Sequence, residues 1–407
     1  MEKIKIRIKD QHRWGEEVFS LLSWFDSEKV SNAKIMVVGA GALGNEVLKN
    51  LALFGIGNIL IVDYDTIEYS NLSRSVLFRP EDAREKRLKA EVAAQRIKEI
   101  NPDLKTMAVC GNIGSDVGLG LISEMDVIIG CLDSRYARYL LNIHAFRANK
   151  PWIDGGIENM EGYVRVFKPG VNCYECSLTA EELQYMYLKT GCQDIAKINN
   201  SYGRIATTPV SSSIIGAIQV QEALKIIHQT DNGGDGQRFK TLEGKLFKYD
   251  GMFMISKTYN MLSYNDDCLS HDVWSPVIKM DNLSAGLTIG ETLRILKSVL
   301  NTNQVVINMR NNKFIAKITE EKVSGKSYEV LMPESKISNF LAENSHGLDT
   351  RERIFQDFIE NIGDDFPYKY LTLNQVGIPF YDIIQVTTSR GFNFVELSGD
   401  KKFTGFN

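Results

Sequence analysis

The sequence lacks a long apolar run, is poor in cysteine and carries no excess of basic residues. Six cysteines in 407 residues are too few for a secreted disulfide scaffold, so each one is interpreted from its spacing. The uncharged run from Ile205 to Gln221 contains serines, threonines and a proline, which exclude a membrane span. The first residues, MEKIKIRIKDQHRW, have no apolar signal-peptide core. We therefore expect a cytoplasmic protein with no membrane partner.

The charge balance excludes a second class of partner. Lys+Arg 47 against Asp+Glu 51 gives a formal net charge of -4, so nucleic acid is not expected to be a partner. The chain is 43% hydrophobic and 24% charged, which is typical of a soluble globular protein. Its length predicts two or three domains.

The first half of the chain alternates strand and helix patterns. A buried-strand pattern at 34–38 precedes a glycine-rich turn, a helical pattern over 45–54 and a second strand over 58–62. Further patterns predict strands near 107–110, 126–130, 151–154 and 162–167, and a long helix over 212–228. This order predicts a parallel-rich sheet with crossover helices.

The composition changes near residue 270, and we place a domain boundary between about 270 and 285. The remainder predicts a smaller α+β domain over 285–407. Its predicted strands are 304–308, 314–318, 382–387 and 392–397, and its predicted helices are 288–300 and 350–361.

The turn after the first strand is a candidate phosphate-binding loop. Gly39, Gly41 and Gly44 follow a strand and open a helix, where backbone N–H groups bind anions. Asp63 ends the second strand, where a carboxylate can accept hydrogen bonds from ribose hydroxyls. Taken alone, this pattern is shared with nicotinamide-dependent dehydrogenases.

The residues after Asp63 favour ATP-dependent adenylation. Asn71 and Arg74 are three residues apart and suit a triphosphate, and Lys89 adds a positive charge from the next helix. Asp133 follows an apolar strand and is placed to hold magnesium at the carboxyl edge of the sheet. Asp65 is also predicted to be one of the nucleotide-binding residues.

Five segments carry a family resemblance: 37–41, 48–52, 61–67, 70–74 and 132–138. They resemble the adenylation domain of ubiquitin-activating-type enzymes, a superfamily that includes the sulfur-carrier adenylyltransferases of molybdopterin and thiamin synthesis. The resemblance is strongest to the catalytic subunit of heterodimeric activating enzymes for ubiquitin-like proteins. It implies a Rossmann-like adenylation domain over 1–275.

The resemblance also implies roles for single residues. It assigns Asp63 to ribose, Asn71, Arg74 and Lys89 to phosphates, and Asp133 to Mg²⁺. The interval between Arg74 and Lys89 is about two residues long for the family, so Lys86 is a competing assignment.

The resemblance also predicts a homodimer if an arginine near the N-terminus completes the ATP site of a neighbouring subunit. In the bacterial relatives such an arginine reaches the ATP of the neighbouring subunit, and Arg13 is the candidate here. The alternative is a local salt bridge of Arg13 beside Trp14.

Four residues form two half-sites of a predicted structural zinc centre: Cys173, Cys176, Cys268 and His271. The family usually has a fourth cysteine in place of His271, so an ordinary surface histidine is the alternative for that residue. A redox pair is the alternative for Cys173 and Cys176. Cys110 and Cys131 end apolar strands and are predicted to be buried.

Cys192 is the candidate thioester cysteine. It follows Cys176 by sixteen residues, about the interval in the resembling enzymes, within a short segment of about 177–205. A thiol that attacks an acyl-adenylate has to reach the nucleotide site and leave it again, which a segment rich in polar residues permits. An inert thiol is the alternative.

The C-terminal domain, 285–407, resembles a ubiquitin-fold domain that recruits a conjugating enzyme; a module that only supports the fold is the alternative. The resemblance implies an enzyme that uses ATP and Mg²⁺ to adenylate the C-terminal glycine of a ubiquitin-like β-grasp protein and then forms a thioester. A sulfur-carrier adenylyltransferase and a non-catalytic dimer partner are the alternatives. Residue usage favours a compact bacterial protein, with antiviral defence as one candidate role.

Overall fold

The computed structural model describes residues 14–179, 181–184, 207–229, 239–261, 264–309, 313–320, 327–337, 340 and 354–405. Its largest element is an eight-stranded sheet in the order β3-β2-β1-β4-β5-β6-β7-β8, in which the first five strands are parallel and the last three antiparallel. The strands are β1 (Lys34–Val38), β2 (Asn58–Val62), β3 (Lys105–Val109), β4 (Val127–Gly130), β5 (Trp152–Glu158), β6 (Glu161–Phe167), β7 (Lys245–Asp250) and β8 (Ile255–Asn260). The predicted parallel-rich sheet is confirmed.

Helices cover both faces of this sheet. In the described residues they include α1 (Glu16–Phe19), α2 (Ser27–Asn32), α3 (Ala42–Phe54), α4 (Pro80–Arg84), α5 (Lys89–Ile100), α6 (Leu119–Ser123), α7 (Arg135–Arg147) and α8 (Pro209–Gln229), whereas α9 (Ile289–Val299) belongs to the C-terminal part. Successive strand side chains point to opposite faces. Ile35 and Val37 of β1 therefore pack with α3, α5 and α8, whereas Met36 and Val38 pack with α6 and α7. No helix in the described ranges is both long and apolar enough to cross a membrane.

The C-terminal part contains two smaller sheets. A five-stranded sheet has the order β14-β10-β15-β16-β9, and a three-stranded sheet has the order β12-β11-β13. Their strands are β9 (Val277–Lys279), β10 (Val306–Asn308), β11 (Phe314–Glu320), β12 (Ser327–Pro333), β13 (Ile354–Ile359), β14 (Asn361–Ile362), β15 (Ile383–Thr388) and β16 (Gly391–Glu396). Leu293 and Leu296 of α9 share a core with Ile307 and Val386 of the five-stranded sheet. The predicted α+β class is confirmed.

One predicted element is wrong. The segment 350–361 was expected to be helical, but Ile354–Ile359 is strand β13, paired antiparallel with β11. Because this pairing joins segments far apart in the chain, a local helical pattern does not report it.

The C-terminal part packs directly on the α6 side of the large sheet. Leu119 donates its backbone N–H to the Asp382 carboxylate at 2.7 Å, and Leu121 donates to the Tyr381 carbonyl at 3.2 Å. A Cβ atom at Gly118 or Gly120 would overlap the Tyr381 carbonyl oxygen, so both glycines are required by this close approach. The two parts therefore share a packed interface.

Candidate functional site

The glycine loop connects β1 to α3 and leaves an open space at the N-terminus of that helix. Gly39 has a φ of +97°, and a Cβ there would overlap the Cys131 carbonyl; a Cβ at Gly44 would overlap the Gly39 carbonyl. Gly41 caps the helix, and the position of its absent Cβ has no neighbour within 4 Å. Gly39 and Gly44 thus meet packing requirements, whereas Gly41 leaves the helix N-terminus open to an anion.

Asp63 is bonded to this loop. One carboxylate oxygen accepts from the Ala40 N–H at 2.6 Å, and the other accepts from the Asp65 N–H at 2.8 Å. Burial raises the pKa of Asp63, an effect that the positive charge of Lys89 opposes. The carboxylate therefore lies beside the open space, at the end of β2.

Lys89, not Lys86, is paired into the site. The Lys89 ammonium lies 2.7 Å from the Asp65 carboxylate, and its side chain is buried at the start of α5. Lys86 is exposed and has a φ of +50°. Of the two competing lysines, the structure places Lys89 with the acidic residues; its contact with phosphate stays a prediction.

Asn71 and Arg74 lie in one short turn after β2. Asn71 ends a 3₁₀ helix, and its side-chain oxygen accepts from the Glu68 N–H at 2.9 Å. The Arg74 guanidinium donates to the Ser70 carbonyl at 2.8 Å. Both side chains are held by local backbone contacts, and their reach to a nucleotide stays a prediction.

Asp133 follows β4 at the carboxyl edge of the sheet and is exposed. Partial desolvation, followed by the charges of Asp65, Asp133 and Asp63, raises the pKa of Tyr64 to about 12. Val38 of β1 is in parallel register with both Val62 of β2 and Gly130 of β4, so Asp133 and Asp63 follow strands that end at the same edge of the sheet. The tertiary structure thus joins the ends of two strands that are far apart in sequence.

The four predicted zinc ligands are brought together. All their ligand atoms lie within 4.8 Å of one another. The Cys173 sulfur is 3.6 Å from those of Cys176 and Cys268, and the Cys176 sulfur is 3.4 Å from Nε2 of His271. Sulfur ligands of a tetrahedral zinc, each at about 2.3 Å from the metal, lie about 3.8 Å apart. The cluster therefore fits zinc.

His271 is held in this cluster by aromatic packing. Its ring stacks on Tyr264 with centroids 4.0 Å apart and on Phe146 at 5.4 Å. It is half-buried, unlike the surface histidine that was its alternative.

Residues 15–270 match the ThiF family. The chain belongs to the ThiF family. The predicted superfamily is therefore confirmed for the region that carries the large sheet, the nucleotide-type loop and most of the Cys/His cluster.

Three ThiF-family relatives show what this chain is similar to. The molybdopterin-synthase adenylyltransferase of Escherichia coli (strain K12) is 29% identical over 57% of this chain and 86% of its own length. The sulfur carrier protein adenylyltransferase of Thermus thermophilus is 31% identical over 55% of this chain and 77% of its own length. The SUMO-activating enzyme subunit uba-2 of Caenorhabditis elegans is 37% identical over 38% of this chain, but this chain spans only 27% of that subunit. The predicted enzyme class, an adenylyltransferase of this family, is confirmed.

The fold of this ThiF-family chain is also found in a solved structure. MccB of E. coli, crystallised with succinimide, superimposes with a TM-score of 0.51 at 24% identity, over 64% of this chain and 74% of MccB. This likeness concerns the fold.

A buried charged network beneath the site was missed from the sequence. Asp154 of β5 is fully buried between the guanidinium groups of Arg138 and Arg165. Gln219 of α8 is also fully buried and donates to the Gly130 carbonyl at 2.9 Å. The available signal was an acidic residue ending the apolar run at 151–154.

Two predicted site residues, Arg13 and Cys192, lie outside the described residues. Of the other cysteines, Cys131 is buried as predicted, but the prediction that Cys110 is buried is wrong. Cys110 lies one residue beyond the end of β3, an edge strand, where the chain leaves the sheet and the side chain is exposed.

Proposed function

We propose that this chain uses Mg-ATP to adenylate the C-terminal glycine carboxylate of a small ubiquitin-like β-grasp protein. The observation that carries the proposal is the open glycine loop at Gly41, bordered by Asp63 and the Asp65–Lys89 pair, with Asp133 following the neighbouring strand β4. A helix N-terminus suits phosphate oxygens, and carboxylates suit ribose hydroxyls and a hard divalent cation.

The chemistry needs alignment more than proton transfer. The substrate carboxylate is ionised at neutral pH, so it attacks the α-phosphate without a general base, and pyrophosphate leaves. Lys89 and Arg74 supply positive charge near the phosphates, and Asp133 would hold the metal. Bound magnesium would neutralise phosphate charge.

We assign the second step to Cys192, which would take the acyl group as a thioester and release AMP. The domain 285–407 would then present the thioester to a conjugating enzyme, and Arg13 would complete the ATP site of a partner subunit in a homodimer. The likeness to a SUMO-activating subunit supports this version.

A sulfur-carrier adenylyltransferase is the second candidate. It is favoured because this chain spans 86% and 77% of two such relatives but only 27% of the SUMO-activating subunit. The C-terminal sheets, which lie beyond the family match at 270, favour the first version.

One pair of assays tests both versions. Exchange of pyrophosphate into ATP, with a glycine-ended β-grasp protein from the same source, is expected for the wild type and is expected to be lost in Asp133→Ala. Unchanged exchange in that variant would overturn the site. Intact mass under non-reducing conditions then separates the versions: a thiol-sensitive adduct absent from Cys192→Ala supports thioester formation, and activated carrier without an adduct supports the sulfur-carrier version.

The Cys/His cluster forms the structural part of the proposal. We propose that Cys173, Cys176, Cys268 and His271 hold one zinc ion that joins the end of β6 to the segment before β9. Such a centre closes a long loop of the chain and stabilises the fold without taking part in adenylation.

A further inference from the structure

The loop from Gly130 to Asp133 is held by contacts from three directions. Gln219 donates to the Gly130 carbonyl at 2.9 Å, and Gly39 packs closely on the Cys131 carbonyl. The Arg138 guanidinium donates to the Leu132 carbonyl. Because that carbonyl belongs to the peptide group that links Leu132 to Asp133, its hydrogen bond sets the direction in which the Asp133 residue leaves the sheet.

Arg138 is itself immobilised by buried partners. Its Nε donates to the Asp154 carboxylate at 2.8 Å, and its Nη2 also reaches the Gly155 carbonyl at 3.2 Å. The Arg138 side chain is 9% exposed and that of Asp154 is 0% exposed. A guanidinium locked in this way acts as a fixed donor, because its planar fork presents its N–H groups in one geometry.

Arg138 and Arg165 together keep Asp154 charged. Burial by itself would raise the pKa of Asp154, but the charges of Arg138 and Arg165 outweigh it and lower that pKa. Arg165 also donates to the Ser177 hydroxyl at 3.3 Å. The network thus extends from the loop before Asp133 to the residue that follows Cys176.

We propose that Arg138 is a positioning residue that orients the Asp133 carboxylate for magnesium through the Leu132 carbonyl, with Gln219 as a second support. The proposal rests on the proposed function. Magnesium demands near-ideal octahedral geometry, so a small displacement of one carboxylate weakens its capture. The Arg138 guanidinium bonds Asp154 and the Leu132 and Gly155 carbonyls, whereas Lys89 pairs with Asp65 beside the loop, and this difference in partners separates the two roles.

The test uses Arg138→Lys in the full-length chain. Lysine keeps the charge beside Asp154 but lacks the fork that also bonds the Leu132 carbonyl. Arg135→Lys is the matched control, because Arg135 lies on the same helix, is 63% exposed and pairs with Glu182 at the surface. Two quantities are measured against Mg²⁺ concentration: the rate of ATP–pyrophosphate exchange and the thermal stabilisation by ATP.

For Arg138→Lys we expect the Mg²⁺ concentration at half-maximal exchange to rise about 10- to 100-fold, the usual cost of losing an outer-shell partner of a metal ligand. Exchange should recover at saturating Mg²⁺, and the thermal stabilisation by ATP should shift to higher Mg²⁺ in parallel. Arg135→Lys should behave as the wild type in both measurements. A purely structural role would lower the melting temperature without changing either Mg²⁺ dependence.

A wild-type Mg²⁺ dependence in folded Arg138→Lys overturns the proposal, whatever the rate. If Arg138→Lys does not fold, Gln219→Met decides by the same criterion, because it removes the other donor without leaving a buried charge unpaired. If Mg-ATP raises the melting temperature of the wild type but none of the β-grasp proteins supports pyrophosphate exchange, the proposed substrate is wrong. The thermal measurement still decides the role of Arg138 in that case.

Discussion

Glu124 is expected to be the main electrostatic contact between the C-terminal part and the large sheet. Its carboxylate accepts from the Tyr381 hydroxyl at 2.9 Å, from Lys401 at 2.8 Å and from Lys34 at 3.0 Å. Burial by itself would raise the pKa of Glu124, but hydrogen bonds from Lys401, Lys34 and Tyr381 outweigh it and lower that pKa to about 2.

The size of this pKa shift determines how much Glu124 contributes to the free energy of unfolding. From an ordinary value of 4.5 to about 2, it corresponds to about 3 kcal/mol of stability at neutral pH. The folded-state pKa lies below the unfolded one, so this stabilisation is complete above the unfolded pKa and is lost as the pH falls towards about 2. At about pH 3, roughly half of it remains.

The perturbation is Glu124→Gln, which imitates the protonated side chain. Urea unfolding at neutral pH should show a loss of up to about 3 kcal/mol, and the deficit relative to the wild type should roughly halve by about pH 3. Glu99→Gln is the control, because the Glu99 carboxylate pairs with Arg96 but is 52% exposed, and its loss should stay below about 0.5 kcal/mol. A Glu124→Gln deficit no larger than that of the control, or one that does not change with pH, would refute the reasoning.

Three further predictions concern the metal cluster and the nucleotide loop. Elemental analysis should find one zinc per chain and none in Cys268→Ser, which should also melt at a lower temperature; a metal-free wild type of equal stability would contradict this. Gly44→Ala should unfold at lower urea because its Cβ meets the Gly39 carbonyl, whereas Gly41→Val should keep wild-type stability and lose ATP-dependent thermal stabilisation. Lys89→Met should lose pyrophosphate exchange and Lys86→Met should keep it. Equal exchange rates in the two variants would contradict the assignment of Lys89 to the site.

Local sequence determined the elements that build the nucleotide-type loop. The apolar run at 34–38, the glycines and the helical pattern after them each act over a few residues; β1 and the end of α3 form where these patterns predict them, while α3 begins at Ala42, three residues before the predicted start. Asp63 was predictable for the same reason, because it ends the next strand of one βαβ unit.

Contacts between distant segments determined the features that local sequence patterns did not predict. The segment 354–359 became a strand because β11 supplies its hydrogen-bonding partner. Lys86 and Lys89 are about one helical turn apart, so spacing along the chain did not show which of them reaches Asp65. The structure decided for Lys89 because α5 begins at that residue. Backbone pairing and helix starts are set by neighbours in space, so these outcomes belong to the tertiary structure.

The sequence by itself determined the residue types at both candidate centres: glycines and acids for a nucleotide, and thiols with an imidazole for a metal. Only the tertiary structure brought Cys173 and Cys268 together across 95 residues and placed Asp154 between Arg138 and Arg165. The physical reason is burial. Charged groups persist in an apolar interior only when other segments of the chain provide partners, and those partners are known only once the chain is folded.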